Sequence, residues 1–251
     1  MSHSERDVPW QVTCRTPVFR TLAIVSNRKK GDIMNEKLTE LVFIVDRSGS
    51  MAGMETDTIG GVNAVLEKNR AVEGETIVSI VLFDHETQVL RDRVPIKDVP
   101  KLTDRDYQVR GCTALLDAVG GSVKFIERIQ RYLPEEVRPG KTIFVITTDG
   151  YENASRKFSY EAVKHLIEKQ AETGWEFLFL GANIDAAAEA SRIGIAADRA
   201  ETYVNDGAGA QAMYEAVADA TVAMNCAPAG APRMGSSWKH SIFRDRARRG
   251  K

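Results

Sequence analysis

Leu41-Val42-Phe43-Ile44-Val45-Asp46-Arg47-Ser48-Gly49-Ser50-Met51 is the stretch on which the reading of this chain turns. Its unbroken apolar run, rich in Val and Ile, describes a central strand covered on both faces rather than the alternating pattern of a half-exposed one. The run ends abruptly in a carboxylate and two hydroxyls. Gly49 lets the loop fold back, so that Ser48 and Ser50 can aim their oxygens at one point. Such an oxygen set at a strand end suits a hard cation. Magnesium and manganese prefer octahedral oxygen ligation, and magnesium retains several waters.

Asp and Ser are also common turn formers and helix caps, so D-x-S-x-S alone carries little. Two further segments add to it. Gly111-Cys112-Thr113-Ala114-Leu115-Leu116-Asp117-Ala118-Val119 opens a helix with a hydroxyl on its first turn, and Thr142-Ile143-Phe144-Val145-Ile146-Thr147-Thr148-Asp149-Gly150 is a second buried strand ending in Asp149. Asp46, Ser48, Ser50, Thr113 and Asp149 then form one constellation. A purely structural alternative has the carboxylates capping loops, the serines closing a turn and Thr113 capping a helix that starts at Ala114. Cys112 reads as a packing residue or as a point where oxidation disturbs the loop.

On these residues the chain, from about Thr39 to Met224, resembles the von Willebrand factor A (vWA) domain family. That family's metal-ion-dependent adhesion site (MIDAS) is D-x-S-x-S, a Thr in a later loop and an Asp before Gly, and all five positions stand here. The resemblance implies direct ligation by Ser48, Ser50 and Thr113, with Asp46 and Asp149 mostly holding the metal's waters. It further implies an open coordination position that, in relatives, receives an acidic side chain of a protein partner. The chain is most similar to compact single-domain bacterial members. Stand-alone intracellular relatives often work beside AAA-class ATPases or in stress-response gene clusters such as tellurium resistance.

The remaining pattern predicts a doubly wound α/β domain. Asp57 to about Glu73, with Gly60-Gly61 on an early turn, reads as an amphipathic helix packed tightly on the sheet. Thr76 to Phe83 and Thr87 to Val94 read as a hairpin joined through Asp84-His85-Glu86, with the second strand at the sheet edge. Helices follow over Ala114 to Leu133, Ser159 to Thr173, Ile184 to Ile193 and Ala208 to about Met224, alternating with strands that end at Asp149, Leu180 and Val204. The resemblance suggests a six-stranded sheet in the order 3-2-1-4-5-6, mostly parallel with one antiparallel edge strand. The strands ending in Asp46 and Asp149 are then neighbours at the topological switch point, where open α/β sheets bind ligands.

Residues after strand ends should rim the same face: Asp84, Tyr151, Glu152, Asn153, Asn183 and Asp185. Tyr151 and Asn153 are the candidates for partner contact, and Asn183 reads as the cap of the following helix. Other chemistries are poorly supplied. There is no G-x-x-x-x-G-K-S/T phosphate loop and no G-x-S-x-G elbow, and Ser48 stands where a haloacid-dehalogenase-like phosphotransferase needs a second acid. His3, His85, His165 and His240 are too scattered for a triad or a histidine-rich zinc site. The expectation is a metal-dependent binding module and not an enzyme, and the competing class is a metal-assisted phosphoester hydrolase.

A formal net charge of -1 over 251 residues argues against nucleic acid as a bulk electrostatic partner. The 3 cysteines, Cys14, Cys112 and Cys226, are widely separated, form no disulfide framework and fit a reducing, cytoplasmic setting. No apolar run is long enough to span a bilayer. The organisation expected is an N-terminal extension over 1–38, the domain over 39–226 and a flexible basic tail over 227–251. Met34 reads as the natural start, since Lys30-Gly31-Asp32 can be encoded as AAA-GGA-GAT, a bacterial ribosome-binding sequence just upstream of an ATG.

Overall fold

The computed structural model describes residues 35–228 and 234–250. The expectation about Met34 and the preceding residues lies outside them. Strand β1 spans Asn35–Asp46, and from Leu41 to Val45 every residue is at most 1% exposed. Its side chains divide between two cores, as the pleat requires. Leu41, Phe43 and Val45 join the core on one face, and Val42 and Ile44 join the other. An unbroken apolar run is what that double burial demands.

Around β1 the sheet is six-stranded in the order β3-β2-β1-β4-β5-β6. Its other strands are β2 (Glu75–Phe83), β3 (Thr87–Pro95), β4 (Pro139–Thr148), β5 (Glu176–Ala182) and β6 (Ala200–Tyr203). The β2–β3 hairpin is antiparallel and every other pairing is parallel, as expected for this topology. The hairpin register slips near Arg93, which takes the left-handed conformation at φ 51. That slip is a bulge that turns the edge strand.

The helices are α1 (Glu55–Arg70), α2 (Leu115–Tyr132), α3 (Tyr160–Glu172), α4 (Ala186–Arg192), α5 (Gly207–Cys226) and α6 (His240–Arg248). Residues of α1 and α5 build the core with Phe43, while α2, α3 and α4 build the core with Val42 and Phe144. Gly61 of α1 lies against α5. A Cβ there would fall 1.9 Å from the Tyr214 ring, so glycine permits the close approach of α1 to α5.

The tail expected over 227–251 needs correction. Ser236–Lys239 is a short 3-10 turn that leads into α6, and Trp238 and Ile242 are buried in the core beside α5. Lys239 Nζ donates to the Ala200 carbonyl at 2.6 Å, and Arg246 pairs with Glu201 at 2.9 Å. Arg249 reaches Asp206, the N-cap of α5, at 2.6 and 2.8 Å. The basic residues therefore meet acids at the sheet edge, while an indole supplies the apolar anchor. Domain structure also begins earlier than Thr39, with β1 starting at Asn35. Among the described residues no helix is long and apolar enough to cross a membrane.

Candidate metal centre

Parallel pairing places the ends of β1 and β4 side by side, so Asp46 and Asp149 leave the sheet as neighbours. Asp46 is fully buried. Its Oδ1 accepts the Ser48 N–H at 2.7 Å and its Oδ2 accepts the Thr148 hydroxyl at 2.6 Å. The first bond folds the D-x-S turn back on itself, as in an Asx turn. Below it, the buried Tyr107 hydroxyl donates to the Asp46 carbonyl at 2.5 Å. Ser48 Oγ and Ser50 Oγ then lie 3.1 Å apart, and Ser50 Oγ donates to Asp149 Oδ1.

Thr113 arrives from the loop before α2. The N-cap position of that helix is Ala114, with no side-chain capping bond, so Thr113 does not serve as the cap. The first-turn N–H groups of α2 are instead met by the loop after Asp149. Glu152 accepts from Leu116 N at 2.9 Å and Ser155 Oγ accepts from Asp117 N at 3.0 Å. Asp117 returns the favour, accepting from the N–H groups of Arg156, Lys157 and Phe158. Asn153 Oδ1 accepts the Thr113 N–H at 2.9 Å, and the Thr113 carbonyl accepts from Asn153 N and Ala154 N. Orphan donors of a helix start are thus satisfied by the very loop that carries Asp149.

The electrostatics show what such a pocket lacks. Burial pushes the Asp46 carboxyl up to about 6 against the pull of Thr148 and Ser48, with Asp149 adding repulsion. Burial likewise raises Asp149, and hydrogen bonding from Ser50 and the nearby Asn205 side chain opposes it. Asp149 Oδ2 is buried with no hydrogen-bond partner. A Cβ on Gly150 would sit 3.5 Å from Ser50 Oγ and 3.7 Å from Thr113 Oγ1, so glycine leaves the space beside both hydroxyls clear. Two carboxylates, one of them with an unsatisfied oxygen, gathered with three hydroxyls at the strand ends are chemistry that a divalent hard cation satisfies. The residues fit that group.

Comparison with known sequences agrees with this geometry. A family model described as "VWA domain containing CoxE-like protein" matches residues 30–186, more than half of the chain. The chain belongs to this VWA family. No curated protein matches it. Solved structures share the fold at low identity. Proximal thread matrix protein 1 of the mussel byssus, in a form with a zinc-occupied MIDAS motif, is 14% identical with a TM-score of 0.54, over 76% of this chain and 47% of that one. The pilus adhesin SpaC of Lactobacillus rhamnosus GG is 13% identical with a TM-score of 0.57, over 77% of this chain and 31% of that one. The manganese-loaded TRAP protein of Plasmodium vivax is 14% identical with a TM-score of 0.50, over 68% and 70%. The chain thus spans about half the length of the mussel protein.

In this VWA domain the structure brings Asp46, Ser48, Ser50, Thr113 and Asp149 together, but it divides the expected rim. Tyr151 is 53% exposed and stands free on the surface. Asn153 is solvent-exposed, yet its side-chain oxygen is spent on the Thr113 backbone. Glu152 is an internal acceptor for Leu116, Ala154 and Ser155. Asn183 does not cap α4. It takes the left-handed conformation at φ 56, and Asp185 caps the helix by accepting from Ala188 N at 3.0 Å. Cys112 is exposed and so is not a packing residue. Asp84, expected at the rim, is fully buried. Sequence reasoning passed over Arg47, the variable position inside D-x-S-x-S, which is 4% exposed. A long cation lodged between ligand serines and a buried strand was the available sign.

Proposed function

We propose that this VWA domain is a metal-dependent protein-binding module. Ser48, Ser50 and Thr113 would hold a divalent cation directly, with Asp46 and Asp149 acting through its waters. Magnesium is the expected ion and manganese its substitute. The cation would supply a Lewis-acidic position for an Asp or Glu side chain of a protein partner, and Tyr151 is the exposed residue beside it best placed to add selectivity. The observation that carries this reading is Asp149 Oδ2, a buried carboxylate oxygen left without a partner beside convergent hydroxyls. Zinc in the MIDAS motif of the mussel protein and manganese in the TRAP structure support a divalent ion in this fold.

Binding is favoured over catalysis because, among the described residues, none but the metal-holding carboxylates is placed at the proposed metal site as a general base. Cysteine usage and the lack of a disulfide framework in the sequence support a cytoplasmic setting. A role beside an AAA-class ATPase or in a tellurium-resistance-like complex would be a special case of the same chemistry.

The test is affinity capture from native extract, comparing wild type with Asp46→Ala plus Ser48→Ala, each in magnesium and in chelator. A partner held only by wild type with metal supports the reading. The same proteins retained under all four conditions would remove the metal from recognition. Turnover of a phosphoester panel that depends on manganese would favour the hydrolase.

A further inference from the structure

Asp84 follows the last residue of β2 and is fully buried, yet it belongs to none of the three ligand-bearing segments. Its two oxygens take three donors. Oδ2 accepts Arg47 Nε at 2.8 Å and Arg110 Nε at 2.9 Å. Oδ1 accepts the Glu86 N–H at 2.8 Å and lies 3.0 Å from His85 Nδ1. Although Asp84, His85 and Glu86 offer ligand atoms within 4.8 Å of one another, the Asp84 carboxylate is already engaged by two guanidinium groups and a backbone N–H.

What Asp84 grips is informative. Arg47 lies between Asp46 and Ser48, and Arg110 stands three residues before Thr113. Backbone bonds run along the same seam. Arg47 N donates to the Phe83 carbonyl, Arg110 N to the Arg47 carbonyl, Gly49 N to the Gly111 carbonyl and Ala114 N to the Asp84 carbonyl, all at 2.8 to 3.0 Å. Gly111 adopts φ +69, and a Cβ there would fall 2.1 Å from His85 Nδ1, so the seam closes only around glycine. The loop holding Ser48 and Ser50 is therefore tied to the loop holding Thr113 by two backbone bonds and, through side chains, by one buried carboxylate.

We propose that Asp84 is the positioning residue of the metal centre, clamping Arg47 and Arg110 so that the Ser48–Ser50 loop and the Thr113 loop are fixed to each other without Asp84 touching the ion. The inference rests on the metal site proposed above. Ligand hydroxyls misplaced by a fraction of an ångström lose octahedral geometry, which magnesium and manganese tolerate poorly. Loss of an outer partner of a metal site costs 10- to 100-fold in affinity, roughly.

Three variants test it: Asp84→Asn, Arg110→Ala and, as a control, Glu40→Gln, which alters a buried ion pair elsewhere on the sheet. Manganese affinity is measured by direct titration, and amide exchange of Gly49 and Ala114 is followed in chelator. Asp84→Asn should weaken manganese about tenfold or more. Arg110→Ala should weaken it in the same direction, and both should speed exchange at Gly49 and Ala114. Glu40→Gln should shift the unfolding midpoint and leave manganese affinity and those two amides unchanged. If Asp84→Asn does not fold, Arg110→Ala decides, because its side chain is 51% exposed and its loss is tolerable. Wild-type manganese affinity and Gly49 exchange in folded Asp84→Asn or Arg110→Ala would overturn the proposal, as would a Glu40→Gln that loses affinity equally. Failure of wild type to bind manganese would overturn the metal reading alone. The exchange data in chelator would still decide whether Asp84 couples the loops.

Discussion

Two buried carboxylates sit on the same sheet and meet opposite fates. Asp84 lies just past a strand end, where the backbone leaves the ladder and can turn N–H groups inward. Burial alone would raise its carboxyl, but the Glu86 N–H and the guanidinium groups of Arg110 and Arg47 together hold it below the ordinary range. Glu40 lies inside β1, where the backbone donors are committed to neighbouring strands. It relies on side chains alone: Arg93 on one oxygen and Gln130 Nε2 at 2.7 Å on the other. There desolvation wins and the carboxyl is raised. Depth and position act together: Glu40 is sunk in the middle of the sheet where no backbone donor is free, whereas Asp84 lies less deep at a strand end where donors gather.

The difference extends to what each region leaves open. Both Glu40 oxygens have partners, and Gln130 goes on to Thr142 at 2.9 Å, so that network closes. At the carboxyl ends of the strands, Asp149 Oδ2 has none. A closed network stiffens a core, whereas an orphaned oxygen waits for a ligand.

The largest effect should come from breaking the closed node. Glu40→Ala leaves Arg93 half-encased without its anion and should cost about 3–5 kcal/mol in urea unfolding, with manganese affinity unchanged. A parallel fall in metal affinity would erase the contrast between the two ends. Next, Asp149→Asn should raise stability in chelator by about 1–3 kcal/mol, because it neutralises a buried unsatisfied oxygen. The same variant should lose the stabilisation that magnesium gives to wild type, which thermal melts with and without the ion will show. A loss of stability in chelator would mean that the orphan is not a burden on the fold.

The pH response sharpens the comparison further. Glu40 is raised above its ordinary 4.5, so its contribution is fully present below that pH and is lost as pH rises through the higher folded value. Asp84 is lowered from 3.8, so its contribution is present above that pH and is lost only as pH falls through the folded value. Glu40→Gln should therefore flatten the stability profile above pH 4.5, and Asp84→Asn should flatten it below pH 3.8, measured by denaturant midpoints across pH. The smallest effect is expected for Arg110→Ala, about 1 kcal/mol or less, because that guanidinium is half exposed.

Much of the site was legible because its donors follow buried strands whose composition has no other explanation. Asp46 and Asp149 end apolar runs, and the Thr113 loop opens an amphipathic helix. The hairpin, the edge position of β3 and the strand order also followed from pattern and resemblance. Other features depended on partners distant in the chain. Glu152 and Asn153 look like loop surface until the Leu116 and Thr113 backbones are seen beside them. Arg47 drew no reading of its own, and Asp84 read as a rim acid. The last 25 residues read as a flexible basic tail because Pro and Gly precede a run rich in Arg and Lys, and one Trp carries little weight beside them. In the fold, Trp238 Nε1 donates to the Asp198 carbonyl at 3.0 Å and its ring closes the core beside α5.

The sequence by itself determined the double-sided burial of β1 and β4, the alternation of helix and strand, and the kinds of atoms placed at the strand ends, because these are consequences of local pattern and residue chemistry. Only the tertiary structure decided that a carboxylate just past β2 would clamp the two ligand loops, that the loop after Asp149 would cap α2, and that the basic C-terminal residues would dock on Glu201 and Asp206. Each of those depends on meetings between segments far apart in the chain, and a buried charge is stable only where such a meeting supplies its donors.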